Sequence, residues 1–328
     1  STILSNMADW NPAEMIGAKS TPLSFSLYSE LITNDVWSKQ RDNYGYYDVS
    51  PNRLMIDLAG SPYIDLRTDF NSFIPKEIPE HSREILINSF LNKIKKKNEL
   101  HDKIEFAVIP TCLTLSSNNL IGKLLNKKNK NKYLYELKKL TENIIKGKKS
   151  PIYSDLSKIL YFESQIKLYK KNNNNPIQNI FFIINLCKKY GTLPFAGIAR
   201  CAFISTIILR ELAENQIIES KDLSNFYSSI NTIALKFNND LFKLKNKKIS
   251  KKSFLNNYGH LRPSTYSISS KNYLDGYNTY FHNIKKIKRN VSKNFLLKNS
   301  KKRKIKKALN KINLKIDSSD LLSFAKLS

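Results

Sequence analysis

Glycine is scarce in this chain, with only 9 in 328 residues. That leaves no room for the Gly-rich loops that cradle phosphates. Neither G-x-G-x-x-G nor G-x-x-x-x-G-K-[ST] occurs, and H-E-x-x-H and G-x-S-x-G are absent too. Cysteine is also sparse. Cys112, Cys187 and Cys201 have no paired spacing, so neither a disulfide framework nor a zinc site is expected. Cys187 and Cys201 stand among apolar neighbours and read as buried thiols of a reducing compartment. Long apolar runs are missing as well. The most apolar stretch, Cys201 to Leu209, is closed by Arg200 and Arg210, so no membrane segment is expected. The first residues lack the charged start and apolar core of a leader. A cytoplasmic location follows as the expectation. A chain that starts on Ser is expected to be a processed or truncated product.

What is abundant is Lys, Asn, Ile, Leu and Ser. Aromatics are plentiful, with 17 Tyr and 17 Phe, and 41% of residues are hydrophobic, which suits a folded protein with a sizeable core. Basic residues outnumber acidic ones by 55 to 27, a formal charge of +28. The excess is uneven. Residues 1–90 hold 7 Lys/Arg against 12 Asp/Glu, whereas Gly276 to Ile316 holds 14 basic residues and no acidic one. Such a block suits an RNA, DNA or anionic-membrane partner. A solvated surface shaped by an AT-rich coding sequence is the favoured explanation. The block lacks the interleaved aromatics of single-strand binders, so nucleic acid is a considered but not favoured partner.

The pattern along the chain predicts a mainly α protein, a multi-helix domain with a small hairpin-containing N-terminal unit. Asn11-Pro12-Ala13-Glu14 is a helix start, and Thr21-Pro22 starts a second helix expected to run to about Gly45 with Leu23, Leu27 and Leu31 inward. Leu54–Leu58 and Tyr63–Leu66 flank Ala59-Gly60-Ser61-Pro62 as two strands around a turn. Helices are predicted over Glu80–Lys97, Asn131–Lys146, Ser154–Lys171, Pro176–Lys189, Gly191–Asn215 and Asp222–Lys245. Phe106–Leu115 reads as a strand or buried extended segment, and Asn172–Asn175 as a polar linker. Ala196, Gly197, Ala199 and Ala202 mark the Gly191–Asn215 helix as the central one. Three segments are expected: a mixed α/β unit over 1–78, a helical domain over 79–283 and a basic helical tail over 284–328.

Tyr258-Gly259-His260-Leu261-Arg262-Pro263-Ser264-Thr265-Tyr266 breaks this texture, with no Lys and no Asn. Arg262 offers a planar fork for phosphate or carboxylate, His260 a titratable ring, and Tyr258 and Tyr266 hydroxyls. A Gly-Pro turn that caps neighbouring helices would use the same residues. His81 and His282 lie in polar surroundings and read as surface residues, and His101 as an ion-paired helix residue.

Several of these segments also resemble, in order, the phosphoenolpyruvate synthase and pyruvate phosphate dikinase-like family of PEP-utilising enzymes. They are Asp9–Gly17 with Thr21–Ser24, Gln40–Tyr46, Pro62–Asp65 with Phe70–Pro75, Lys189–Gly197 and Tyr258–Pro263. The resemblance is to the helical middle region only. It implies an ATP-grasp nucleotide domain and a swivelling phosphohistidine domain as partners in cis or trans, with ATP and Mg held there and no cofactor in this chain. It further implies that the segment binds a small-molecule acceptor, as the middle region does in the related rifampicin phosphotransferases, and is inactive alone. The site residues expected on this basis are Arg262, His260, Tyr258, Tyr266, Arg41, Tyr44 and Arg200; no residue is expected to be catalytic, and none to bind metal. Ser264 stands where the family tends to have Gly, and Ser267 where it has an acidic residue. A nucleic-acid-binding protein and a degenerate scaffold without substrate are the alternatives.

Overall fold

A computed structural model describes the chain except residues 1, 7, 9, 148–149, 170–174, 264–269 and 283–294. The protein is mainly α, as expected, with 66% of it helical and one small antiparallel sheet. It divides into two compact units. The larger comprises Ser1–Ile218 and Asn299–Ser328, the smaller Glu219–Lys298.

The larger unit begins with strand β1 (Leu4–Ser5), helix α1 (Pro12–Ile16) and helix α2 (Pro22–Tyr28). Both helix starts follow the sequence. The Asn11 side chain accepts from the Glu14 N–H, and Thr21 Oγ1 accepts from the Ser24 N–H. The second helix does not run to Gly45. A π-helical turn at Ser29–Thr33 breaks it, and the chain resumes as α3 (Val36–Asn43). The break rotates the face that turns inward, so Leu23 is exposed and Tyr28 is buried instead.

Strands β2 (Met55–Leu58) and β3 (Ser61–Asp65) pair as predicted. Ala59 and Gly60 both take positive φ, 52° and 78°, the geometry of a tight two-residue hairpin turn. β1 adds to the other side of β3, in the order β1-β3-β2. Two residues are too short a run to show in the hydrophobic pattern.

Helices α4 (Leu66–Asn71) and α5 (Glu80–Lys96) follow. In α5, Leu86, Ile87, Phe90, Leu91 and Ile94 are buried, while Ile85 is only half-buried. Phe106–Leu115 is buried from Val108 to Thr114, while Phe106 is exposed, and it forms no strand. It enters by a π-helical turn at Ile104–Val108 and continues irregularly through Ile109, Cys112 and Leu113. Helices α6 (Ser117–Ile121), α7 (Lys127–Ile145), α8 (Pro151–Tyr169), α9 (Pro176–Leu186) and α10 (Leu193–Glu214) complete this part. α10 is the central helix, with Arg200, Cys201, Ile204, Ile208 and Leu212 among its buried residues. No break separates it from α9, because a π-helical turn at Cys187–Thr192 carries the helix through Gly191. Cys112 and Cys201 are buried, Cys187 is half-buried, and all three are free thiols.

In the smaller unit the single helix expected over Asp222–Lys245 is two, α11 (Ser220–Ser229) and α12 (Ile233–Lys245). Thr232 restarts the second by accepting from the Leu235 N–H. α13 (Lys251–Tyr258) and α14 (Tyr277–Phe281) close around an aromatic core of Phe237, Phe254, Tyr258, Tyr273 and Phe281.

The basic tail folds back onto the larger unit as α15 (Asn299–Lys311) and α16 (Ser318–Leu327). α15 buries Ile305, Ala308 and Leu309, and α16 buries Leu321, Phe324 and Ala325. An apolar residue every three or four positions is enough to dock a helix whose other faces are cationic. Ile305→Asp is therefore expected to lower unfolding stability by about 3 kcal/mol or more, whereas Lys304→Glu changes it by less than about 0.5 kcal/mol. Urea denaturation followed by circular dichroism checks both, and equal effects would mean the tail is not docked.

Candidate functional site

The expected site residues divide between the two units. Arg41, Tyr44 and Arg200 belong to the larger. Tyr258, His260 and Arg262 belong to the smaller, and Tyr266, like Ser264 and Ser267, lies outside the described residues.

In the larger unit three remote segments meet. Arg41 on α3 and Arg200 on α10 are each only 2% exposed. Both guanidinium groups lie over the ring of Phe73, at 4.3 Å and 4.9 Å from its centroid. Such a ring attracts a cation through its negative face, and more strongly once both are out of water. Tyr46 meets the same ring edge-on at 6.5 Å and donates its hydroxyl proton to the Thr111 carbonyl at 2.6 Å. Arg200 grips Glu105 with both terminal nitrogens, Nη2 at 2.8 Å from Oε1 and Nη1 on Oε2. Thr111 Oγ1 donates to the same carboxylate at 3.2 Å. Arg41 Nη1 donates to the Gln40 side-chain oxygen at 3.2 Å.

Tyr44 sits beside this cluster. Its hydroxyl donates to Asp155 on α8 at 2.8 Å, and Lys158 holds the other carboxylate oxygen at 3.0 Å. The Cys201 thiol donates to the Tyr44 oxygen at 3.7 Å. Burial pushes the Cys201 thiol up to about 12 and also raises Tyr44 and Asp155. Gly197 on α10 makes the approach possible. A Cβ there would stand 2.6 Å from the Tyr44 hydroxyl, and it would collide with Asp155.

Arg41 and Arg200 therefore hold the core together and have no open face for a ligand. Tyr44 is buried too, but it borders an open groove of about 680 Å³. The groove runs between the α3 end at Asp42–Gly45, the Pro75–Glu77 turn and one side of α7. Its lining mixes Lys76, Lys139 and Lys146 with Asp42, Glu136 and Glu142.

In the smaller unit Tyr258 ends α13 with its ring buried against Phe237 and Phe254 and its hydroxyl donating to Asp240 at 2.9 Å. Burial, and then Asp240, pushes its hydroxyl up to about 12. Gly259 lets the returning segment close in, since a Cβ would meet the Leu255 carbonyl and would lie 3.3 Å from Leu274. The Tyr273 N–H donates to Leu261 O and the Leu274 N–H to Gly259 O, which anchors the loop. His260 and Arg262 lie on its exposed side.

Glu105 and Asp155 are the partners that sequence reasoning did not single out, though each left a signal. Glu105 interrupts an apolar stretch, and Asp155 falls three residues after the buried Ile152 on the inward side of α8. An acid on an apolar face implies a buried donor opposite. No group of three or more His, Cys, Asp or Glu among the described residues could hold a metal ion. No family model matches the chain, and no curated protein or solved structure matches it either.

Removing one member of the Arg200–Glu105 pair strands a buried charge. Arg200→Met alone is expected to lose about 3–5 kcal/mol, and Arg200→Met with Glu105→Leu to recover most of it. Denaturant midpoints of the three proteins check this, and an additive double variant would refute the pairing. Asp155 supplies a pH test. A carboxyl raised on folding stabilises the fold fully below its unfolded value near 3.8, and that contribution fades as pH rises through the folded value. Asp155→Asn, which can still accept from Tyr44, is expected to abolish this part of the pH dependence. Stability measured at stepped pH from acid to neutral reads the difference.

Proposed function

We propose that this chain is the acceptor-binding middle segment of a PEP synthase-like phosphotransferase, catalytically incomplete without nucleotide and phosphohistidine domains. One observation carries it. Three of the resembling segments, Gln40–Tyr46, Phe70–Pro75 and Lys189–Gly197, converge in the larger unit, where Arg41, Tyr46 and Phe73 pack together and Tyr44 packs on Gly197. That these segments pack on one another supports the reading. Two of them, at Asp42–Gly45 and Pro75, also wall the groove. Phosphoryl transfer asks a protein mainly for positioning and charge neutralisation. In this proposal the groove of the larger unit holds the acceptor, and within the smaller unit Arg262 and His260 offer an exposed cationic fork and ring for an anion.

A second proposal is nucleic-acid binding, favoured by the docked α15, whose exposed faces carry Arg303, Lys304, Lys306, Lys307 and Lys311. It predicts affinity that falls steeply with salt and is lost in Lys304→Glu/Lys307→Glu. Deleting the whole tail would not test it, because Ile305 and Leu309 belong to the core.

Incubation of the isolated chain with ATP or phosphoenolpyruvate is expected to give no phosphoprotein, and histidine phosphorylation would sink the claim of incompleteness. Phosphoenolpyruvate and pyruvate are each expected to raise the melting temperature, less in Arg262→Ala than in the parent. If the shift is unchanged in Arg262→Ala, the loop binds neither anion.

A further inference from the structure

α9 is exposed almost all round. Ile177 is 68% exposed, Phe181 64% and Ile180 57%, with Phe182 and Ile183 also open, and only Leu186 is buried. The neighbouring α8 adds Leu160 at 67% and Leu168 at 58%. A helix that is apolar over most of its circumference is normally enclosed by protein or lipid. Among the described residues α9 packs extensively only on the π-helical turn that follows it. Something covers it.

The charge pattern decides what. From Ser164 to Arg210 the chain has no Asp or Glu. Lys167 on α8 and Lys189 beyond the end of α9 are both exposed. A second copy would bring like charges together at the rim of the contact, in a chain of formal charge +28. A protein groove covers one stripe of a helix, whereas exposed apolar side chains here take up most of the circumference, interrupted by the face of Gln178 and Asn185. Lipid meets both demands, because acyl chains accept apolar residues from several sides and anionic headgroups neutralise lysines.

The mode of contact follows from the fold. Pro176–Glu214 is one continuous helix of 39 residues, long and apolar enough by length and composition to cross a bilayer. Its α10 part cannot enter lipid, since Arg200 is buried on Glu105 and Gly197 on Tyr44. α9 alone is about 16 Å long, half the thickness of a bilayer core. We propose that α9, with the exposed side of α8, docks in the surface layer of a bilayer containing anionic lipid, its isoleucines and phenylalanines inserted and its flanking lysines at the headgroups.

The test is co-sedimentation of the full chain with vesicles of equal parts phosphatidylcholine and phosphatidylglycerol, and with phosphatidylcholine vesicles. Ile180→Ser/Phe181→Ser keeps the charge and touches exposed positions, so its melting temperature is expected to match the parent. Its partition onto the mixed vesicles is expected to fall at least about tenfold. Lys167→Gln/Lys189→Gln is expected to weaken binding by roughly tenfold and flatten its salt dependence. Three results would overturn the proposal. They are no retention on mixed vesicles, equal retention of the serine variant, which assigns binding to α15 and the other cations, and a parent dimer in solution that the serine variant dissolves.

Discussion

Two guanidinium groups facing one phenyl ring set the terms for the larger unit. Arg41 and Arg200 reach Phe73 from different helices, and neither has water to solvate it. A buried cation is tolerated only when every direction around it supplies an acceptor or a π face. Glu105 supplies two oxygens to Arg200, Thr111 steadies that carboxylate, and Tyr46 braces both the ring and Thr111. To place these groups, the chain after Ile104 must enter as a π-helical turn and then run irregularly. A strand over Phe106–Leu115 would turn alternate residues to opposite faces and separate Glu105 from its partners.

The central helix is subject to the same demand. Gly197 brings α10 against Tyr44 and Asp155, one helical turn before Arg200. Keeping both contacts requires the α9–α10 rod to hold its phase through Gly191, and the π-helical turn at Cys187–Thr192 adjusts it. Lys188 in that turn reaches Glu30 at 2.6 Å, and Thr192 Oγ1 donates to Leu31 O at 2.8 Å. Two irregular turns thus brace each other. The price of this register is paid at the far end, where α9 is carried away from the core with its apolar residues outward.

Much of the candidate site was half-legible. Arg41, Tyr44 and Arg200 stood out because charged and aromatic residues punctuated otherwise repetitive segments, and they do pack around a shared nucleus. Their burial could not be read, since burial depends on what faces them, and Glu105 and Asp155 lie 95 and 111 residues away from Arg200 and Tyr44 respectively. The Tyr258 loop divides along the same line. Gly259 and Tyr258 serve packing, as turn chemistry suggested, while His260 and Arg262 remain on the exposed side.

Local chemistry settled what local chemistry can settle. Caps at Asn11, Thr21 and Asn175, the Ala59-Gly60 turn and the spacing of apolar residues determined where helices and the hairpin form, because those signals act within a turn or two of the chain. Tertiary structure decided the rest. It broke the Thr21 helix at Ser29, joined α9 to α10 through a glycine expected to separate them, and docked the cationic tail by Ile305 and Leu309. In each case the free energy of matching distant surfaces exceeds the few tenths of a kcal/mol by which one residue prefers one backbone state.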